Sequence, residues 1–145
     1  MTAVSRWRIG LAALVWLTLA LPGHAEKRVA LVIGNSAYKN AAQLANPVND
    51  AGAIAKLLEK SGFEVVMPRN NLGNLEFKRA LREFTISARG ADIAVMYFAG
   101  HGIEVKGTNY LVPIDARLAS DYDAEDEAVS LNRVIDAVER PSACA

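Results

Sequence analysis

Three apolar runs constrain this chain more than any other feature: Val29-Ala30-Leu31-Val32-Ile33, Phe63-Glu64-Val65-Val66-Met67 and Ile93-Ala94-Val95-Met96-Tyr97-Phe98-Ala99. The first is continuous and β-branched, the pattern of a strand buried on both faces of a parallel sheet, and the third is nearly all apolar in the same way. Between the first two, Asn49 or Asp50 caps a helix in which Ile54, Leu57 and Leu58 recur at helical spacing, with Ser61-Gly62 as its stop. Between the second and third, after Pro68 and an Asn-rich loop, Asn74 caps a helix. Its Phe77, Leu81, Phe84 and Ala88 share one face, and Gly90 ends it. Buried strands separated by helices predict an α/β layered fold, a mostly parallel sheet with flanking helices and right-handed crossovers.

Downstream, Ile103-Glu104-Val105 and Asn109-Tyr110-Leu111-Val112 read as a hairpin turning at Gly107, and residues 121–127 as an exposed acidic loop. Ser130 caps a last helix with Leu131, Val134, Ile135 and Val138 inward and Pro141 just past its end. At 145 residues, there is room for one compact domain and processing signals. Arg6 and Arg8 lead an apolar run from Ile9 to Leu21 that ends in Gly23-His24-Ala25. This is the layout of a secretory signal peptide over residues 1–25, followed by a domain over 26–145. The run is about 13 residues, against the roughly 20 that a membrane-spanning helix needs, so cleavage is expected rather than anchoring, and the product is periplasmic or secreted.

Sixteen basic and sixteen acidic residues balance, and loss of Arg6 and Arg8 leaves the mature chain slightly acidic, with no basic excess to attract nucleic acid. Cys144 is the single cysteine, so no intramolecular disulfide can form.

In open parallel sheets, ligands and catalytic groups gather beyond the carboxyl ends of the strands. Gly34-Asn35-Ser36 and Gly100-His101-Gly102 both leave strands at that edge. A nucleotide site at the first lacks both the G-x-G-x-x-G pattern and the Walker lysine. The second is the better candidate. A lone histidine is more often structural than catalytic, but His101 stands between two glycines at a strand end, where the backbone can turn sharply against a substrate. If His101 is catalytic, a general acid/base role fits imidazole, and the Gly102 N–H would then be free to serve as an oxyanion donor.

Lys27 to Tyr38 (KRVALVIGNSAY), Leu44 to Leu58 (LANPVNDAGAIAKLL), Gly62-Phe63 and YFAGHG, in that order, resemble the large-subunit region of caspase-like cysteine peptidases (peptidase C14) in their bacterial, metacaspase-related form. The resemblance covers most of residues 27–139 and implies a caspase-like three-layer sandwich. It also implies a polypeptide substrate, with His101 as the base of a histidine–cysteine dyad and the Gly102 N–H as half of the oxyanion hole. Animal caspases carry an arginine before the first helix to bind an aspartate, and Gln43-Leu44-Ala45-Asn46 has none. Asp50 resembles instead the acidic S1 residue of metacaspases, and a carboxylate there favours a basic P1 residue by charge pairing. The same residue is also a candidate for the helix cap, and the two roles are compatible.

A thiolate is the attacking species in such chemistry. The family's cysteine ends a fourth strand, with the histidine about 50 residues upstream. Cys144 has a suitable gap from His101 but the wrong context, since Glu139-Arg140-Pro141-Ser142-Ala143 contains no apolar strand. The expectation is therefore an incomplete caspase-like sheet without its fourth core strand and with no convincing nucleophile. A catalytically inactive peptide- or partner-binding module is the alternative to a cysteine endopeptidase. No metal or cofactor is called for. Calcium activation, frequent among metacaspases, is left open by the resemblance, but Asp121, Asp123 and Glu125 lack the glycine and closing glutamate of an EF-hand loop.

Overall fold

The computed structural model describes residues 26–139; the expected signal peptide and Cys144 lie outside the described residues. Strands β1 (Arg28–Gly34), β2 (Val65–Asn70) and β3 (Ile93–Ala99) form one sheet in the order β2-β1-β3, with both pairings parallel. Helix α1 (Pro47–Lys60) connects β1 to β2, and α2 (Asn74–Ser87) connects β2 to β3.

Side chains alternate across β1 and divide the core into two layers. Val29, Leu31 and Ile33 face Phe77, Leu81 and Phe84 of α2, whereas Ala30 and Val32 face Ala51 and Ala55 of α1. All five β1 residues from Val29 to Ile33 are 0% exposed. Each large aliphatic side chain buried this way contributes on the order of 1.5–3 kcal/mol. The small Ala51 and Ala55 let α1 lie close against the sheet. β3 is half-buried along most of its length and, among the described residues, pairs only with β1.

A second sheet is antiparallel: β4 (Gly102–Val105), β5 (Thr108–Leu111) and β6 (Val129–Ser130), in that order. Lys106 and Gly107 turn the β4–β5 hairpin with φ of 50° and 78°, the paired left-handed conformation of a tight two-residue turn. Helices α3 (Asp123–Glu127) and α4 (Leu131–Glu139) complete the domain.

Several local expectations are corrected. β2 starts at Val65 rather than Phe63, because Phe63 closes α1. Its N–H donates to Leu58 O at 3.1 Å and that of Gly62 (φ 85°) to Glu59 O at 3.2 Å, a Schellman stop that holds Phe63 out of the sheet. β2 then runs through Pro68, which is in register with Val32. A proline without an N–H is tolerated there because β2 borders only β1 among the described residues.

Neither connecting helix is capped as expected. α1 begins at Pro47, which puts Asn49 and Asp50 inside its first turn. Ser36 Oγ accepts the Val48 N–H from outside the helix at 3.3 Å. For α2, Asp115 supplies the cap, its Oδ1 accepting the Asn74 N–H at 2.8 Å. The Asn74 amide instead donates to Asp126 O at 2.6 Å.

The acidic stretch is not a loop throughout. Asp123 Oδ2 accepts the N–H of Ser120 at 2.7 Å and of Ala119 at 2.9 Å, and Ala124 and Ala128 are buried against Tyr110, which together fold α3. In α4, Ser130 Oγ accepts the Arg133 N–H at 3.3 Å as expected. The inward face is Val134, Ala137 and Val138, while Leu131 and Ile135 are 37% and 41% exposed.

Three expected outcomes follow. Phe77 is fully buried and stacks on Phe98 at 5.6 Å, so Phe77→Ala should cost about 3–5 kcal/mol in denaturant unfolding. Leu57→Ala, at a 57% exposed position, should change stability by no more than about 0.5 kcal/mol. The Ser120 N–H, with further donation from the Ser120 hydroxyl and the Ala119 N–H, holds the Asp123 carboxyl below its ordinary range. Its stabilising contribution is therefore present above the ordinary carboxylate pKa and is lost as pH falls through the lowered native value. Thermal melts of Asp123→Asn should show a deficit against the wild type at neutral pH that closes on acidification.

Candidate functional site

The carboxyl ends of β1 and β3 are in register at Gly34 and Ala99, and the Asn35 N–H extends the ladder to Ala99 O at 2.8 Å. A Cβ on Gly34 would lie 2.5 Å from Pro47 O, so only glycine lets the start of α1 close on this strand end. Asn35 is 0% exposed and all of its amide is engaged. Nδ2 donates to Leu72 O and Val112 O, each at 3.3 Å, and Oδ1 accepts the Leu72 N–H at 2.9 Å. Asn71 Oδ1 in turn accepts the N–H groups of Ser36 and Ala37 at 2.8 and 2.9 Å. The Gly34-Asn35-Ser36 turn, considered as a ligand site from its position, is thus a tie among three loops, with its side chains committed to backbone.

His101 sits immediately beyond β3, half-buried. Its Nε2 lies 2.7 Å from Ala42 O. A carbonyl oxygen can only accept, so Nε2 carries a proton, and in the neutral imidazole Nδ1 is the nitrogen with the lone pair. The imidazole also packs on the ring of Tyr38, with centroids 4.5 Å apart at 55°.

The backbone around His101 is held by an unusual rung. Val112 N–H donates to His101 O at 3.0 Å, but the reciprocal bond of the antiparallel pair is replaced by a hydroxyl. Tyr38 Oη accepts the His101 N–H at 2.8 Å and donates to Val112 O at 3.1 Å. Tyr38 is 3% exposed, and burial raises the pKa of its phenol, which keeps the hydroxyl neutral and able to accept and donate together. Gly100 makes room for it: a Cβ there would lie 2.5 Å from Tyr38 Oη. Because the rung at His101 and Val112 is of the hydrogen-bonded kind, the next pair, Gly102 and Leu111, is not. The Gly102 N–H therefore points away from β5.

The structure places His101 and Gly102 side by side at the sheet's carboxyl edge. Asp50 is exposed in the first turn of α1, whose start abuts the same end of β1, and no ion pair among the described residues involves it. Cys144 falls outside the described residues. Among those described, no group of three or more His, Cys, Asp or Glu residues is placed to hold a metal ion, and no helix is long and apolar enough to cross a membrane. Sequence reasoning missed two contributors. Tyr38 was visible only as the aromatic closing the KRVALVIGNSAY segment. Ala42 acts through a main-chain carbonyl, which no side-chain pattern announces.

Comparison with known proteins agrees with this architecture. The family model of the caspase domain, peptidase C14, matches residues 27–138. The chain is similar to the human mucosa-associated lymphoid tissue lymphoma translocation protein 1, 35% identical over 92 residues that make up 63% of this chain and 11% of that protein. The homologous mouse protein matches with the same identity and coverage. This chain thus corresponds to about a tenth of the length of either relative.

Removing the amide of Asn35 strips the Leu72 N–H of its partner inside the fold. Asn35→Ala should lower unfolding free energy by about 1–3 kcal/mol, read by urea denaturation. A loss within about 0.5 kcal/mol, typical of an ordinary surface position, would contradict the tie described above.

Proposed function

The chain belongs to the caspase domain family of peptidases, and on that premise we propose that it forms the histidine-bearing part of a cysteine endopeptidase site that favours a basic P1 residue. The observation that carries this reading is the placement of His101: Nε2–H is fixed on Ala42 O, which leaves Nδ1 outside that bond, and the neighbouring Gly102 N–H is outside the β4–β5 ladder.

In this mechanism a cysteine thiolate attacks the scissile carbonyl carbon, and the oxygen that becomes negative is met by the Gly102 N–H. The protonated imidazole returns its proton to the departing amine as the C–N bond breaks. Water then cleaves the thioester, restoring the thiol and releasing the acid. The thiol belongs to a cysteine that the described residues do not include, and Cys144 is the only cysteine of the sequence. A solvent-facing carboxylate at Asp50 would pair with arginine or lysine at P1. The leader-like residues 1–25 favour action in the periplasm or outside the cell.

A second reading is supported by the surroundings of Cys144, where Pro141 follows a helical pattern and no apolar strand leads to the cysteine. On that reading the same strand-end edge binds basic peptides or partners without cutting them.

Fluorogenic peptides with Arg, Lys or Asp at P1 test both. The peptidase reading expects turnover of the Arg and Lys peptides over the Asp peptide, and a fall of about 10²–10⁴ in kcat for His101→Ala. Asp50→Asn should lower the preference for Arg by about tenfold, the scale of one lost charge pair. Turnover that survives Cys144→Ala removes that residue as nucleophile. Binding of Arg peptides without turnover selects the non-catalytic module, and the absence of both defeats the proposal.

A further inference from the structure

We propose that Tyr38 is a positioning residue for His101, its hydroxyl acting as a spacer that holds open the rung between His101 and Val112 and so keeps the imidazole on Ala42 O. The inference rests on the reading of His101 as a base, and it concerns how that base is held.

Packing alone accounts for the Tyr38 ring. It is buried with Val112 and Ala116 and carries Leu44, Ile103 and Ile114 around it, a role that phenylalanine would fill equally well. The hydroxyl is what packing does not explain. A buried phenol oxygen has to be desolvated, and here it finds two partners, both backbone groups and both belonging to one rung of the β4–β5 ladder. Antiparallel strands ordinarily satisfy such groups with each other. With the hydroxyl removed, the His101 N–H has no acceptor and Val112 O keeps only the Asn35 amide, so the two are left to close directly, because an unpaired buried N–H is costly. Closure draws the His101 backbone toward β5.

That displacement matters because the imidazole is held from the opposite side. Its ring leans on the Tyr38 ring at 4.5 Å, and its Nε2 reaches Ala42 O at 2.7 Å, on the loop that follows β1. One side chain therefore fixes the histidine twice, through its main chain and through its ring. Gly100 is the third element. The 2.5 Å separation between a hypothetical Gly100 Cβ and Tyr38 Oη means that any larger residue at this position pushes the hydroxyl from the rung. The first glycine of Gly100-His101-Gly102 is accordingly required by the spacer, and by the Phe98 ring, whose Cζ would lie 2.7 Å from the same Cβ, apart from any approach of substrate.

The test reads the histidine without turnover, so its outcome is independent of whether the chain cleaves peptides. The full chain, with its histidines labelled with ¹³C at the ring, is used to measure the order parameter of the His101 ring, assigned by loss of the signal in His101→Ala. The wild type should be about as rigid as ordered backbone, near 0.85, and Tyr38→Phe should fall below about 0.6. Gly100→Ala, which keeps the phenol but displaces it, should show the same loss. Phe84→Leu, a core substitution far from the rung, serves as the control for general destabilisation and should leave the ring rigid. The proposal is overturned if the wild-type ring is already mobile, if Tyr38→Phe leaves it rigid, or if Phe84→Leu loosens it to the same degree.

Discussion

Complete burial of β1 is the constraint on which the rest of the domain depends. A strand covered on both faces and paired on both edges must be apolar throughout, and Val29 to Ile33 meets that demand with no polar residue. Its alternate side chains set the two layers: Val29, Leu31 and Ile33 pack against the large Phe77, Leu81 and Phe84 of α2, and the smaller Ala30 and Val32 against Ala51 and Ala55 of α1. Its carboxyl end then fixes where the site forms. Gly34 admits the start of α1, and Asn35, with no exposed surface, ties the loops that begin after β1, β2 and β5 into one rim.

Upon that rim the candidate site is arranged mainly by backbone. His101 is oriented by the Ala42 carbonyl and by a hydroxyl inserted into a ladder rung, and the outward N–H of Gly102 follows from the same register. Only the imidazole is a side chain of the kind that sequence patterns advertise. A site built this way needs the hairpin and the loop after β1 to hold a fixed separation, which explains why a neutral, buried tyrosine with two backbone partners stands between them.

Much of the fold was legible because its strongest signals are local. The apolar runs announced β1 and β3, the Lys106-Gly107 turn announced the hairpin, and Ser130 announced the cap of α4. What was not legible came from distant partners. Asp115 caps α2 from the far side of the hairpin, so Asn74 offered a plausible but unused alternative. Phe63 looked like a strand residue until the helix stop claimed it, and the acidic stretch looked solvated because the burial of Ala124 depends on Tyr110. At the site, His101 and Gly102 stood out between glycines. Tyr38 and Ala42 did not, since one acts through tertiary contact and the other through a carbonyl common to every residue.

The central claim is that His101 and Gly102 form the reacting edge of a caspase-like site and that Asp50 selects its substrate. A crystal structure of the complex with a short peptide ending in arginine tests it most directly. The account predicts a terminal carboxylate oxygen accepting the Gly102 N–H beside the His101 imidazole, with the guanidinium against Asp50. A peptide seated away from His101, or an arginine side chain directed away from Asp50, would contradict it.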